Sequence, residues 1–215
     1  MSSSSRRRAG AVAAAAAVIG LGGGCGVHPG AAAEVDGTRI ALDEVDVYTA
    51  ALCDSVTAFT QAQPNAPGAQ PVGRQELRQQ VVGLLVRLEL TRDAAEDLGV
   101  EVSPADLVVD EDDPALQAAI EALGEGQQET LLELFDKSQE LEVLNAAIGQ
   151  DVDPEGTTPD PVSAGREYVT ELVSEADINV DPRVGLDSDL DVSTGQNLSV
   201  SGGDEPELSP TQTCG

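Results

Sequence analysis

The single histidine of this 215-residue chain, His28, stands beside Pro29 in a run of small residues, GVHPGAAA. A hydrolytic triad or a cysteine–histidine pair needs its base on a rigid scaffold. A histidine in such a tether-like stretch reads as a solvated linker residue. Structural zinc needs Cys and His in closely spaced clusters, and the 3 cysteines are scattered at positions 25, 53 and 214. Carboxylates are the abundant chemistry, with 39 Asp and Glu. Two stretches alternate them as a calcium loop would: Asp187-Ser188-Asp189-Leu190-Asp191 and Asp151-Val152-Asp153-Pro154-Glu155-Gly156. A loop of that type needs Gly at its sixth position and Glu at its twelfth. The first stretch has Val192 and Leu198 there, and the second has Gly156 but Val162. Both therefore read as solvated acidic loops. No enzyme, metal or cofactor is expected.

The cysteines point elsewhere. Arg6-Arg7-Arg8 form a basic start, and Ala9 to Leu21 an apolar run. That run is too short for a membrane-spanning helix, which needs about 20 residues, but suits the apolar region of a signal peptide over residues 1–24. It ends in Gly22-Gly23-Gly24-Cys25, which resembles a bacterial lipobox, with Leu21 one position further from the cysteine than usual. Small residues fit the lipoprotein signal peptidase, and the thiol is the acyl acceptor. The expectation is a chain lipidated with palmitate-like acyl groups at Cys25 and anchored on the outer face of the cell membrane. A soluble secreted chain cleaved after Ala31-Ala32-Ala33 is the alternative. Lipidation of Cys25 leaves Cys53 and Cys214 as an even pair in an oxidising compartment. They are expected to form a disulfide worth about 4–5 kcal/mol in the chain-entropy model; two free thiols or an intermolecular bond would be the alternatives.

Composition narrows the scaffold. With no Trp, 2 Tyr and 2 Phe, the core must come from Leu, Val, Ile and Ala, which favours helices packed through aliphatic stripes. The formal net charge is −28, which excludes ordinary nucleic-acid binding, since phosphate neutralisation needs clustered Lys and Arg.

The elements follow from periodicity. Residues 25–33 read as a lipidated tether. Glu34 to Ile40 alternates about an Asp-Gly turn, a short strand with a tight bend. Val45, Tyr48, Leu52, Val56 and Phe59 mark a helix with Cys53 beside its stripe, and residues 63–73 a loop. A second helix is expected over Arg74–Leu98, with Leu77, Val81, Leu84, Leu85, Leu88, Ala95 and Leu98 on one side and Gly99 as its stop. Ser103-Pro104 opens a short helix. The carboxylates Asp110 to Asp113 precede another over 114–123. A long helix over 127–148 presents Leu131, Leu134, Phe135, Leu141, Leu144 and Ile148. After a loop over 150–161 come a helix over 162–176 and a strand near Ile178-Asn179-Val180. Residues 187–215 are acidic and Ser/Gly-rich, and are expected to be a largely disordered tail. The stripes are too short for coiled coils.

Several of these pieces, in order, resemble the SurA N-terminal domain family, which includes the chaperone parts of PrsA-like foldases and resembles the C-terminal domain of trigger factor. Val35-Asp36-Gly37-Thr38-Arg39-Ile40 resembles the family's opening strand. Gly99 with Val102-Ser103-Pro104-Ala105-Asp106 resembles the turn after its long helix. Ile178-Asn179-Val180-Asp181-Pro182-Arg183-Val184-Gly185 resembles its returning strand, with Val184 in an aromatic place. The resemblance spans residues 34–186. It implies a mostly α, helical chaperone-like domain, with a small two-stranded β element pairing the N- and C-terminal parts, and apolar clefts that hold non-native polypeptide. Relatives often carry a parvulin prolyl isomerase domain, for which this chain has no room. The expected role is an extracytoplasmic, membrane-anchored holdase for exported polypeptides. The alternative is an accessory lipoprotein binding one dedicated envelope partner, and cation capture by the acidic tail is a third, weaker one.

Overall fold

Two residues with positive φ, Asp36 at 47° and Gly37 at 88°, turn the chain between strands β1 (Ala31–Val35) and β2 (Thr38–Ala41). Val35 pairs directly with Thr38, so the Asp-Gly step makes a two-residue hairpin whose twist matches its strands. The computed structural model describes residues 28–62, 71–103, 107, 117, 120, 121, 123–158, 160–192, 209 and 212–215.

The strand expected to begin at Glu34 begins at Ala31 instead. Ala31, Ala32, Ala33 and Val35 are wholly buried, so residues 31–33 belong to the core and not to a tether. Alanine has little intrinsic preference for strand, and burial under the second helix overrides it. β1 is central, with β2 on one side and β4 (Ile178–Val180) antiparallel on the other, in register Ala33↔Val180 and Val35↔Ile178. This pairs the N- and C-terminal parts as expected, widened by β2 to three strands. Beyond β4, Asp181 is nearly buried and accepts hydrogen bonds from the Arg183 backbone N–H and guanidinium. That charge-assisted contact holds the Asp181 pKa below the usual carboxylate range.

Four long helices are present among the described residues: α1 (Leu42–Ala62), α2 (Arg74–Leu98), α3 (Glu125–Val152) and α4 (Pro161–Val173). α2 has the expected limits, ending in the left-handed cap Gly99. It is buried on more than one side, however. Val82, Val86, Leu90 and Ala94 join the expected stripe, while Leu84 and Leu98 are only half-buried. The reason is that α1, α3, α4 and β1 all pack on it. Phe59 on α1 and Phe135 on α3 are more than a third exposed, so neither aromatic ring sits in the core. α4 starts where Asp160 accepts from the backbone N–H groups of Val162 and Ser163, with Pro161 in its first turn.

α3 runs past its expected end at Ile148, through Gly149 to Val152. A Cβ on Gly149 would lie 1.9 Å from the Pro161 carbonyl oxygen, and one on Gly165 would lie 1.9 Å from that of Asn145. The two helix backbones touch there, which only glycine permits.

The tail also differs from expectation. Leu186 bridges to Val192, Leu190 is buried, and β5 (Thr213–Cys214) pairs with β3 (Val72–Gly73). Most of the short helix predicted from Ser103, the Asp110–Asp113 cluster, most of 114–123, residues 63–70 and 193–208, and the whole signal segment with Cys25 lie outside the described residues.

Cys53 on α1 and Cys214 on β5 are joined by a disulfide across a sequence separation of 161, with Cα atoms 5.0 Å apart. It packs with Leu77 in a small apolar cluster. Closing so long a loop restricts the unfolded chain by about 4–5 kcal/mol. A chain of this size loses roughly 2–4 °C of Tm per kcal/mol. The Cys53→Ser/Cys214→Ser variant should therefore melt roughly 10 °C or more below the wild type. Equal melting, together with two titratable thiols in the wild type, would show that the bond does not form.

Candidate functional site

α4 lies against α2 and α3, and a groove runs along each of its flanks. The first has a volume of about 350 Å³. Its walls are helical faces: Arg87 and Thr91 one turn apart on α2, Leu141 and Asn145 one turn apart on α3, and Arg166, Val169, Thr170 and Val173 on α4. The Thr91 and Thr170 hydroxyls each donate to the carbonyl four residues back, at 2.7 Å. With their hydroxyls so engaged, these threonines extend the aliphatic wall. Asn145 donates through Nδ2 to the Leu141 carbonyl at 2.7 Å, but its buried Oδ1 has no hydrogen-bond partner. An unmet buried acceptor costs about 1–3 kcal/mol. Arg166 pairs with Glu142 at 3.2 Å across exposed surface, where such a pair contributes little.

The second groove, about 210 Å³, lies between α2, α4 and the hairpin tip. Leu90, Ala94, Tyr168, Leu172 and Ala176 form its apolar floor, and Asp36, Asp93, Asp97 and Glu175 its rim. Asp36 also ties the hairpin to β4's approach by accepting from the Asp177 backbone N–H at 2.9 Å. Asp93 stands among other carboxylates. Partial desolvation, then the charges of Glu89, Asp36, Glu96 and Asp97, push its pKa above the usual range.

The residues singled out in the sequence fall away from these grooves. Cys25 lies outside the described residues, and the Cys53–Cys214 bond lines neither groove. His28 Nδ1 lies 2.7 Å from Glu34 Oε2, with its side chain 70% exposed. The alternating carboxylates fasten their own loops. Asp187 Oδ1 accepts from the backbone N–H groups of Asp189 and Asp191. Asp153 accepts from Thr157 and Thr158, whose backbone N–H groups bring its pKa down to about 2. Among the described residues no group of three or more His, Cys, Asp or Glu is placed to hold a metal ion. No described helix is long and apolar enough to cross a membrane. Sequence reading passed over Arg87, Asn145 and Arg166. The available signal was Asn145 itself, a polar residue inside the apolar stripe Leu141, Leu144, Ile148.

The raised Asp93 pKa has a definite sign. A carboxyl titrating higher in the folded state contributes stability below its unfolded pKa and loses it as pH rises through the folded one. Asp93→Asn should therefore raise the Tm at about pH 7 and leave it unchanged at about pH 3. Thermal melts of variant and wild type at both values test this; an equal Tm difference at the two would show that the groove's charge is not the cause.

A family model described as the SurA-like N-terminal domain matches residues 8–119, just over half of the chain. The matched segment holds the hairpin, α1, β3 and α2, and ends before α3. No curated protein and no solved structure matches the chain. The hairpin that opens the fold, the long glycine-capped α2 and the family match agree, and this chain belongs to the SurA-like N-terminal domain family, whose domain is of a chaperone, non-catalytic type.

Proposed function

We propose that this protein is an extracytoplasmic lipoprotein, anchored in the membrane through acylated Cys25, that holds exported polypeptides in non-native form. The observation that carries the reading is the pair of apolar-floored grooves flanking α4 in a domain of chaperone type. Each offers aliphatic surface on a rigid helical frame, suited to a short apolar segment. The formal charge of −28 keeps such a body soluble and opposes self-association.

Burial of the first strand supports processing at Cys25. Cleavage after Ala33 would remove three wholly buried residues from the middle strand of the sheet, whereas cleavage before Cys25 leaves the strand whole. A Cys25→Ser variant should lose its lipid and its membrane fraction, as measured by metabolic acyl labelling and fractionation. Retention of label on the variant would refute the anchor.

The acid-rimmed second groove favours one further reading, an accessory lipoprotein dedicated to a single basic envelope partner. The two part in a light-scattering assay with two unrelated aggregating clients, at low and at high salt. A holdase suppresses aggregation of both at stoichiometric amounts with weak salt dependence, and Val173→Asp, which places a charge at the first groove's edge, reduces suppression several-fold. Suppression of neither client would overturn the holdase reading. A single basic ligand lost as salt shortens the screening length would replace it.

A further inference from the structure

Cations are scarce in this chain, and five of the eight among the described residues are paired. Arg78, Arg92, Lys137, Arg166 and Arg183 each lie within ion-pair distance of a carboxylate. Arg39, Arg74 and Arg87 do not: among the described residues no carboxylate is at such a distance from any of them, although the chain carries 39 Asp and Glu, and of the three Arg87 lines the first groove. Arg87 is exposed and lines this groove together with Arg166 and with Asn145, whose buried Oδ1 has no hydrogen-bond partner. Leu141, Val169 and Val173 supply the aliphatic wall of the same groove.

These three features call for three groups on one ligand. An unpaired guanidinium calls for an anion, and its planar fork suits a carboxylate. An orphaned amide oxygen calls for an N–H donor. An aliphatic wall calls for an apolar side chain. A polypeptide's last residue, if aliphatic, carries all three at once. An internal Asp or Glu supplies the carboxylate but no apolar group of its own. A volume of about 350 Å³ is at the small end for ligand pockets, which suits one end of a chain more than a long segment. We propose that the groove between α2, α3 and α4 binds the C-terminal residue of a client polypeptide. The terminal carboxylate lies on Arg87 with Arg166 at its flank, the backbone N–H faces Asn145, and an aliphatic side chain rests on Leu141, Val169 and Val173. The assignment rests on the polypeptide-binding reading above and names the part of the client that this groove selects.

The test is fluorescence anisotropy of the purified full chain with three labelled peptides. One ends in leucine with a free carboxylate, one is its C-terminal amide, and one is an amide with an internal glutamate. The free acid should bind roughly tenfold or more tightly than either amide, reflecting a charge-assisted contact made by the acid alone. Arg87→Gln should erase that difference without moving the Tm, since the side chain is exposed. Equal binding of acid and amide, or a difference that survives in Arg87→Gln, overturns the proposal. So does failure of excess N-acetyl-leucine, which carries the same three groups, to displace the labelled peptide.

The aggregation assay separates this from the holdase reading. Suppression of both clients with equal affinity for acid and amide removes the terminal preference and leaves the holdase. Selective binding of the acid without suppression keeps the carboxylate site and removes the holdase. Neither suppression nor peptide binding removes both.

Discussion

The position of α4 is set by two glycines. Gly149 and Gly165 let the α3 and α4 backbones meet where a methyl group on either would collide with a carbonyl oxygen at 1.9 Å. Close backbone approach cannot be relaxed by rotating a side chain, because carbonyl groups committed to helical hydrogen bonds have nowhere to move. α4 is thereby held against α3 at one depth. Both grooves exist because of that depth. A helix standing further out would open the first into a shallow trough, and one sitting deeper would fill it.

The electrostatics follow a related economy. With carboxylates far outnumbering cations, many carboxylates find their partners among backbone N–H groups. Asp153, Asp160 and Asp187 each fasten a turn or a helix start in this way. The few cations cross-link helices instead, as Arg92 does to Glu140 and Lys137 to Glu44. Lys137 also stands over the Tyr48 ring, 5.8 Å from its centre. The surplus charge is left at the rims, where the second groove concentrates it around Asp93.

Features governed by local rules were readable from the residues. The Asp-Gly hairpin and both limits of α2 depend on turn chemistry and capping, the strand at 178–180 on alternation, and its return to the first strand was implied by the family resemblance. Features decided by distant contacts were not. Ala31-Ala32-Ala33 looks like a tether until α2 covers it. Gly149 looks like a helix end until α4 is placed against it. The even cysteine count pointed to the bond that secures Cys214, but the pairing of Thr213 and Cys214 with β3 could not be read from the tail itself. The grooves belong to this second class, since each is bounded by helices far apart in sequence, and no single stretch carries their pattern. Asn145 was the one local hint, and its meaning depends on a void formed by two other helices.

The bond between Cys53 and Cys214 has a topological consequence. It turns the chain from α1 to β5 into a closed covalent ring that includes α2, α3, α4 and β4. A single proteolytic cut anywhere in that ring leaves one connected molecule. The fragments stay tethered at each other's side and can remain docked through the core. A linear chain of the same fold would shed everything beyond the cut, whereas this one must be cut twice, or reduced, before a piece is lost.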